Sequence, residues 1–316
     1  MPEVRIGTRA SALARTQTGH VADALRTLGV REVGTVHVRT EGDVVTAPLS
    51  SLGGTGVFVT ALRDALLAGR CDVAVHSFKD LPTAPAPGLR VAAVPPREDP
   101  RDALCSVGGT AGARLADLRP GARVGTGSPR RAAQLRAARP DLEVVDLRGN
   151  VDSRLGRVTS GDLDAVVLAL AGLARLGRLD AVSEVLDADV MTAAAAQGAL
   201  AVEVRDDETD PVLLAALAAL DHRPTRLAVA AERALLERLE AGCAAPVGAI
   251  ARLGEGPGGG TLHLEATVAA VDGTRVLRRR ASVVLPEGQE DAGAGAARRP
   301  AAADDVAAGP GADAGP

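Results

Sequence analysis

A chain of 316 residues, 46% hydrophobic and 24% charged, is too long for one ordinary core and has the composition of a globular protein. Its 36 Lys and Arg against 40 Asp and Glu leave a net charge of −4, which argues against a general nucleic-acid binder. Phe58 and Phe78 are the only aromatics, which removes base-stacking platforms and aromatic cages.

The N-terminus leads from Met1 straight into a strand pattern, Val4–Thr8, with no signal-peptide apolar region. No later run is apolar for long enough to span a bilayer, so a cytoplasmic protein without a membrane partner is expected. Ser11 stands where it can cap a helix that stops at Gly29, and Val33–Val38 reads as the next strand. The Gly-rich stretch Gly53–Gly56 opens a helix ending near Gly69, and Asp72–His76 reads as a buried strand. Strands alternating with amphipathic helices predict an α/β protein with largely parallel sheets. Parts of this layout recur. Arg5-Ile6-Gly7-Thr8 is echoed by Arg123-Val124-Gly125-Thr126, and Gly69–Val75 by Gly161–Val167, which predicts two similar domains. The Pro-rich stretch from Pro95 to Asp102 has the character of a domain crossing. Leu227–Leu239 is a helix stopping at Gly242, and Thr261–Val271 and Arg275–Leu285 alternate around Asp272-Gly273 as a hairpin. After Pro286 the chain becomes Ala, Gly, Asp and Pro without periodicity, and a disordered tail is expected.

Each Gly-Thr turn feeds a helix through small residues, leaving backbone N–H groups and the helix dipole to favour an anion. Ser128 suits the cap and Pro129 the first turn of the second such helix, with Arg9, Arg130 and Arg131 nearby in sequence. Ordinary capping with solvated arginines produces the same pattern for either turn alone, but two matching turns favour a shared cleft beyond the strand ends. Leu147–Arg154 adds Arg148 and Arg154 at a strand-to-helix passage, either as a carboxylate clamp or as a salt-bridged surface loop. The sharpest segment is Asp72–Asp80, whose strand delivers Lys79 and Asp80 to the carboxyl edge of a sheet. A carboxylate beside a cation can exchange a proton with a substrate nitrogen and stabilise a developing cation. The plain alternative is a helix-capping Asp beside a surface Lys.

Cys71, Cys105 and Cys243 are odd in number and form no C-x-x-C pair, so a zinc ribbon or disulfide framework is a poor reading and a reducing compartment fits better. Cys243 follows a helix stop, where the dipole disfavours a thiolate. It reads either as inert or as a thiol that reacts once with a strong electrophile. Gly254–Gly259 satisfies G-x-G-x-x-G, but a strand follows it, so it is a loop and no dinucleotide site. The five His are scattered without metal-ligand spacing.

From Val4 to about Leu285 the chain resembles the hydroxymethylbilane synthase (porphobilinogen deaminase) family. The resemblance rests on V-H-S-F-K-D at Val75–Asp80, P-R-E-D-P-R-D-A at Pro96–Ala103, L-R-G-N-V at Leu147–Val151 and L-E-A-G-C at Leu239–Cys243. It implies two α/β domains of the type II periplasmic-binding-protein kind flanking a cleft, plus a small α+β domain. The expected limits are 1–97 with 193–219, 98–192, and 220–286. It implies a transferase that joins four porphobilinogen molecules head to tail with release of ammonia, giving the linear hydroxymethylbilane of tetrapyrrole and heme biosynthesis. A covalent dipyrromethane cofactor on Cys243 is implied, with Asp80 as the catalytic carboxylate. Arg9, Lys79, Arg130, Arg131, Arg148 and Arg154 would hold acetate and propionate groups, assisted by Ser77, Thr126 and Ser128. A monomer is expected, with a transient handover to uroporphyrinogen-III synthase. Three departures stand out: Ser51 and Thr55 where relatives carry Lys, Gly127 where a hydroxyl residue is common, and the polar tail in place of a final amphipathic helix. The rival from another class is a non-catalytic intracellular anion-binding sensor with the same two-domain plan.

Overall fold

The computed structural model describes residues 3–38, 57–242, 245–255 and 260–286. The Gly53–Gly56 loop, Ser51, Thr55, Cys243, residues 256–259 and the tail from 287 onward lie outside them.

The first sheet takes β1 (Val4–Thr8), β2 (Val33–His37), β3 (Val73–Ser77), β4 (Leu89–Ala93) and β10 (Leu200–Arg205) in the order β2-β1-β3-β10-β4. β1, β2 and β3 are parallel, whereas β10 runs antiparallel to both of its neighbours. Helix α1 (Ala12–Thr27) connects the first two strands and α2 (Val57–Leu67) precedes the third. With helices packed on the sheet, β1 and β3 are buried nearly throughout, as their apolar runs require. Ser11 caps α1, its hydroxyl accepting from the Ala14 amide at 3.3 Å, and Gly29 ends the turn with φ +100°. Ile6, Leu25, Val73, Val202, Leu213 and Leu217 fill the core of this layer, the last two from α6 (Pro211–Leu220).

The second sheet repeats the plan. Its strands β5 (Asp102–Ser106), β6 (Arg123–Gly125), β7 (Glu143–Val145), β8 (Ala165–Ala169) and β9 (Glu184–Val185) lie in the order β7-β6-β8-β5-β9. β7, β6 and β8 are parallel, and β5 is antiparallel to both its neighbours. The repetition reaches single atoms: the Arg5 amide donates to Asp72 at 2.9 Å, and the Arg123 amide to Asp164 at 2.7 Å. A Cβ on Gly7 would lie 2.8 Å from Sγ of Cys71, and one on Gly125 would lie 2.7 Å from Cδ1 of Leu163. The matching glycines are therefore demanded by the same close approach in each half, and the expected duplication is present in register, hydrogen bonding and packing.

Helix α7 (Arg223–Arg238) covers a three-stranded antiparallel sheet of β11 (Val247–Gly254), β12 (Thr261–Ala269) and β13 (Val276–Val284). Ala228 and Ala231 of the helix pack on Ala251, Leu262 and Leu264. The helix starts four residues before the sequence pattern suggests, because Pro224 fits its first turn, where a missing N–H costs nothing. It also ends earlier than Gly242. Glu240 takes the left-handed position (φ +50°), the Glu240 amide donates to Glu237 O and the Ala241 amide to Leu236 O.

Residues 94–101 run from β4 in the first sheet to β5 in the second, and residues 193–199 return to β10. Both crossings meet at Glu232 of α7, which is 0% exposed. Its carboxylate accepts from Arg97 at 2.6 and 3.0 Å, from the Ala196 amide at 2.6 Å and from the Ala251 amide at 2.7 Å. A buried charge is tolerated when every lone pair is satisfied in this way. Among the described residues, no helix is long and apolar enough to cross a membrane.

Candidate functional site

β3 ends at Ser77 and passes directly into a single 3₁₀ turn, Phe78–Asp80. Phe78 is buried, while Asp80 is exposed and accepts no hydrogen bond from the described residues. Lys79 points inward instead of into solvent, which removes the plain surface-lysine alternative. Its ammonium donates to Gln197 Oε1 at 3.1 Å. Burial, with repulsion from Arg131, pushes the Lys79 amine down to about 8, against the attraction of Asp80 and Asp102.

Across the crossing, α3 (Pro129–Ala138) begins as the sequence leads one to expect, with Ser128 as cap and Pro129 in the first turn. Thr126 is buried and its hydroxyl accepts from the Ser128 amide at 3.2 Å. Arg130 and Arg131 are both buried and both face Asp102, which is 0% exposed at the start of β5. Arg130 donates to Asp102 Oδ2 at 2.8 Å and to Thr192 O at 2.6 Å. Arg131 donates twice to Asp102 Oδ1, at 3.0 and 2.7 Å, and once to Val167 O at 3.1 Å. Burial opposes the Asp102 charge, yet the two guanidinium groups and hydrogen bonds from Arg131 and Gln197 hold its carboxyl well below the usual carboxylate range. The expected pair of ligand forks is thus engaged by the protein's own carboxylate.

Gln197 links the halves. Its amide donates to Asp102 Oδ1 at 2.8 Å and to Pro100 O at 2.7 Å, while its carbonyl oxygen accepts from Lys79 and, at 3.4 Å, from Arg131. Lys79 on the first sheet and the arginines on the second therefore share one hydrogen-bonded patch. Arg154 sits on α4 (Val151–Thr159), capped by Asn150, and donates to Gly149 O at 2.7 Å. Burial and the repulsion of Arg131 and Arg148 lower the Arg154 pKa, partly offset by Asp146. Arg131, Arg148 and Arg154 are thus close enough to sense one another's charge.

Ser77 exchanges hydrogen bonds with Gln17 at 2.9 and 3.2 Å. Arg9 is half-buried just beyond β1, at the place Gly127 takes after β6. A Cβ on Gly127 would come within 2.4 Å of Leu147 O, a physical reason for glycine where a hydroxyl residue was expected. Cys243 lies outside the described residues, between Gly242 and Ala245, whose carbonyl and amide are joined at 3.0 Å. Asp102, Gln197 and Glu232 carried no role in the sequence reading. Asp102 stood inside a quoted motif, but nothing local marks the long-range contacts of the other two.

Burial and repulsion from neighbouring cations disfavour the charges of Lys79 and Arg154, a strain that an anion placed beside them would relieve. The fold defines an α/β protein with two matching sheets, a smaller third sheet and an exposed acid on the turn after β3. Residues 4–212 match the family "Porphobilinogen deaminase, dipyromethane cofactor binding domain", and residues 226–299 match "Porphobilinogen deaminase, C-terminal domain". Porphobilinogen deaminase of Micrococcus luteus is 55% identical over 90% of this chain and 83% of its own. That of Cutibacterium acnes is 54% identical over 92% and 90%, and that of Mycobacterium tuberculosis 56% over 87% and 88%. Among solved structures, the methionine-binding protein MetQ is similar at a TM-score of 0.43 and 10% identity, covering 69% of this chain and 89% of that one.

The chain belongs to the porphobilinogen deaminase (hydroxymethylbilane synthase) family, enzymes that are transferases of tetrapyrrole biosynthesis with a dipyrromethane cofactor. Membership sets aside the rival reading as a non-catalytic sensor. The two α/β domains are of the type II periplasmic-binding-protein kind, each with an antiparallel crossing strand set into a parallel sheet.

Proposed function

We propose that Asp80 is the catalytic carboxylate of the porphobilinogen condensation and that Cys243 carries the dipyrromethane through a thioether. The observation that carries the reading is the exposed, unclaimed carboxylate of Asp80 one residue from Lys79, which Gln197 ties to the Asp102–Arg131 patch. Asp80 accepts the pyrrole N–H of the incoming substrate and stabilises positive charge there as ammonia departs. Lys79, Arg9, Arg148 and Arg154 meet acetate and propionate groups, with Ser77, Thr126 and Ser128 adding hydrogen bonds. Arg130 and Arg131 act on the same groups through their charge while Asp102 holds their forks in place. When bound, the dipyrromethane supplies the nucleophilic pyrrole carbon to which the first substrate is joined. Each substrate brings two carboxylates, so a growing chain calls for this many cations.

We assign the domains to residues 1–97 with 193–219, 98–192 and 220–286, a reading that the grouping of strands into three sheets supports. A cytoplasmic monomer that hands its product to uroporphyrinogen-III synthase completes the proposal. Intact mass tests its covalent part: the purified protein should be heavier than its sequence by the dipyrromethane, and Cys243→Ser should lose the addition. Asp80→Ala should keep the added mass and lose turnover by on the order of 100- to 10,000-fold. An unmodified parent protein, or near-normal turnover of Asp80→Ala, would overturn the corresponding assignment.

A further inference from the structure

We infer that Arg233 of α7 is a positioning residue for the acidic turn, an inference that rests on the assignment of Asp80 above. The turn has few bonds of its own. Ser77 offers it no side-chain cap, and its internal bond, from the Leu81 amide to Phe78 O, is 3.2 Å long. The segment that follows is irregular as far as β4, so its carbonyls have no ladder to join.

Arg233 supplies what the turn lacks. Its guanidinium donates to Leu81 O at 2.9 Å and to Pro82 O, and reaches Phe78 O at 3.5 Å. The same group lies over the Phe78 ring with its carbon 4.6 Å from the centroid. One planar fork therefore grips the backbone on both sides of Asp80 and covers the aromatic ring two residues before it. Lysine, with a single ammonium, cannot match that geometry. The neighbouring Glu232 is fixed by Arg97 and two backbone amides, so this part of α7 is held rigidly against both crossings. α7 also leads into the segment that carries Cys243.

The arginines of the second domain do not depend on this grip, and Lys79, although within the turn, has an anchor of its own. Lys79 is bound by Gln197, and Arg131 by Asp102 and Val167 O. Loosening the turn should therefore misplace Asp80 and lower kcat while KM changes little. A purely structural role would lower stability without that split.

The test compares Arg233→Ala, Arg233→Lys, Phe78→Leu and Asp80→Ala as purified holoenzymes with porphobilinogen, assayed well below each melting temperature and checked for the cofactor by intact mass. Arg233→Ala should lose kcat by on the order of 10- to 100-fold, the loss a displacement near 1 Å produces. KM should stay within about threefold and cofactor mass should be retained, which separates a binding loss from a loss at the chemical step. Arg233→Lys should fall between Arg233→Ala and the parent, and Phe78→Leu should lose less than either. If Arg233→Ala does not fold, the lysine variant decides on the same split. Parent-like kcat in the arginine variants, with Asp80→Ala inactive, overturns the inference alone. Parent-like kcat in Asp80→Ala overturns the assignment of the acid, and the inference with it.

Discussion

Each α/β domain buries one carboxylate on its antiparallel crossing strand, and the two do different work. Glu203 on β10 pairs opposite Ala74, deep within β3, and is held by Arg63 at 2.6 Å and His76 at 3.0 Å. Asp102 on β5 pairs opposite Ala169, the last residue of β8, where the parallel strands end and ligands gather. The same scaffold, with the carboxylate moved along the strand, holds one ion pair inside the first sheet and, at the strand end of the second, anchors the arginines of the proposed site. The acid follows the same logic. β3 delivers Phe78-Lys79-Asp80 where β8 delivers the apolar start of α5 (Leu170–Arg175), while the helix after the Gly-Thr turn begins with arginines only in the second half.

Substitution should expose that contrast most strongly at Asp102. Asp102→Asn leaves Arg130 and Arg131 buried with no opposing charge, and breaking a buried pair in this way costs about 3–5 kcal/mol. Denaturant unfolding should show a loss of that order, and the folded fraction should also lose turnover, because Lys79, Gln197 and Arg131 share this anchor. Glu203→Gln should reduce stability too, but its folded fraction should turn over at nearly the parent rate. Equal kinetic losses in the two variants would erase the distinction.

Acid and alkali should separate the halves as well. Burial works against ionised Glu203, but the adjacent His76 ring and hydrogen bonds from Arg63 hold its carboxyl at about 2. A folded value below the unfolded one means the stabilisation is complete above the ordinary Glu range of about 4.3 and is lost as pH falls from there towards 2. Melting temperature should therefore drop over that window, and less so in Glu203→Gln. Lys79 shifts the opposite functional limit. Its amine, brought down to about 8, loses its cation above that pH, so kcat/KM should fall on the alkaline side by up to tenfold per pH unit. Lys79→Arg should remove that limb, and a limb unchanged in this variant would assign the titration to another group.

Much of the scaffold was legible from local pattern, and the reason is physical. The Ser11 and Ser128 caps, the Gly29 stop, the Pro129 start and the Asp272-Gly273 hairpin each act within a few residues. The acidic turn was equally readable, since a buried strand must deliver whatever follows it to the sheet edge. The contacts joining the halves were not. Arg130 to Asp102 spans 28 positions, Gln197 to Asp102 95, and Arg97 to Glu232 135, so no periodicity announces them. The pairing of Arg130 and Arg131 with Asp102 was hidden for the same reason: their partner's burial is a property of the assembled sheet. Glu240 in a left-handed position runs against residue preference, so Gly242 looked the better helix stop.

The smallest expected effect concerns the two caps. Ser11 accepts from Ala14 N at 3.3 Å and Ser128 from Arg131 N at 3.5 Å, both at the long end of hydrogen bonding. Replacing either by alanine should cost about 1 kcal/mol at most, seen as similar small shifts in the denaturant midpoint. Kinetics should nevertheless tell them apart. α1 begins with Ala12, Leu13 and Ala14, and Arg15, which closes its first turn, has no part in the proposed site. α3 begins with the arginines that frame the anion site, so Ser128→Ala should raise KM for porphobilinogen by a few fold while Ser11→Ala leaves it unchanged. Equal KM values would mean that the Asp102 pairing alone holds the arginines, and that the second Gly-Thr turn has no part in binding despite its place at the strand end.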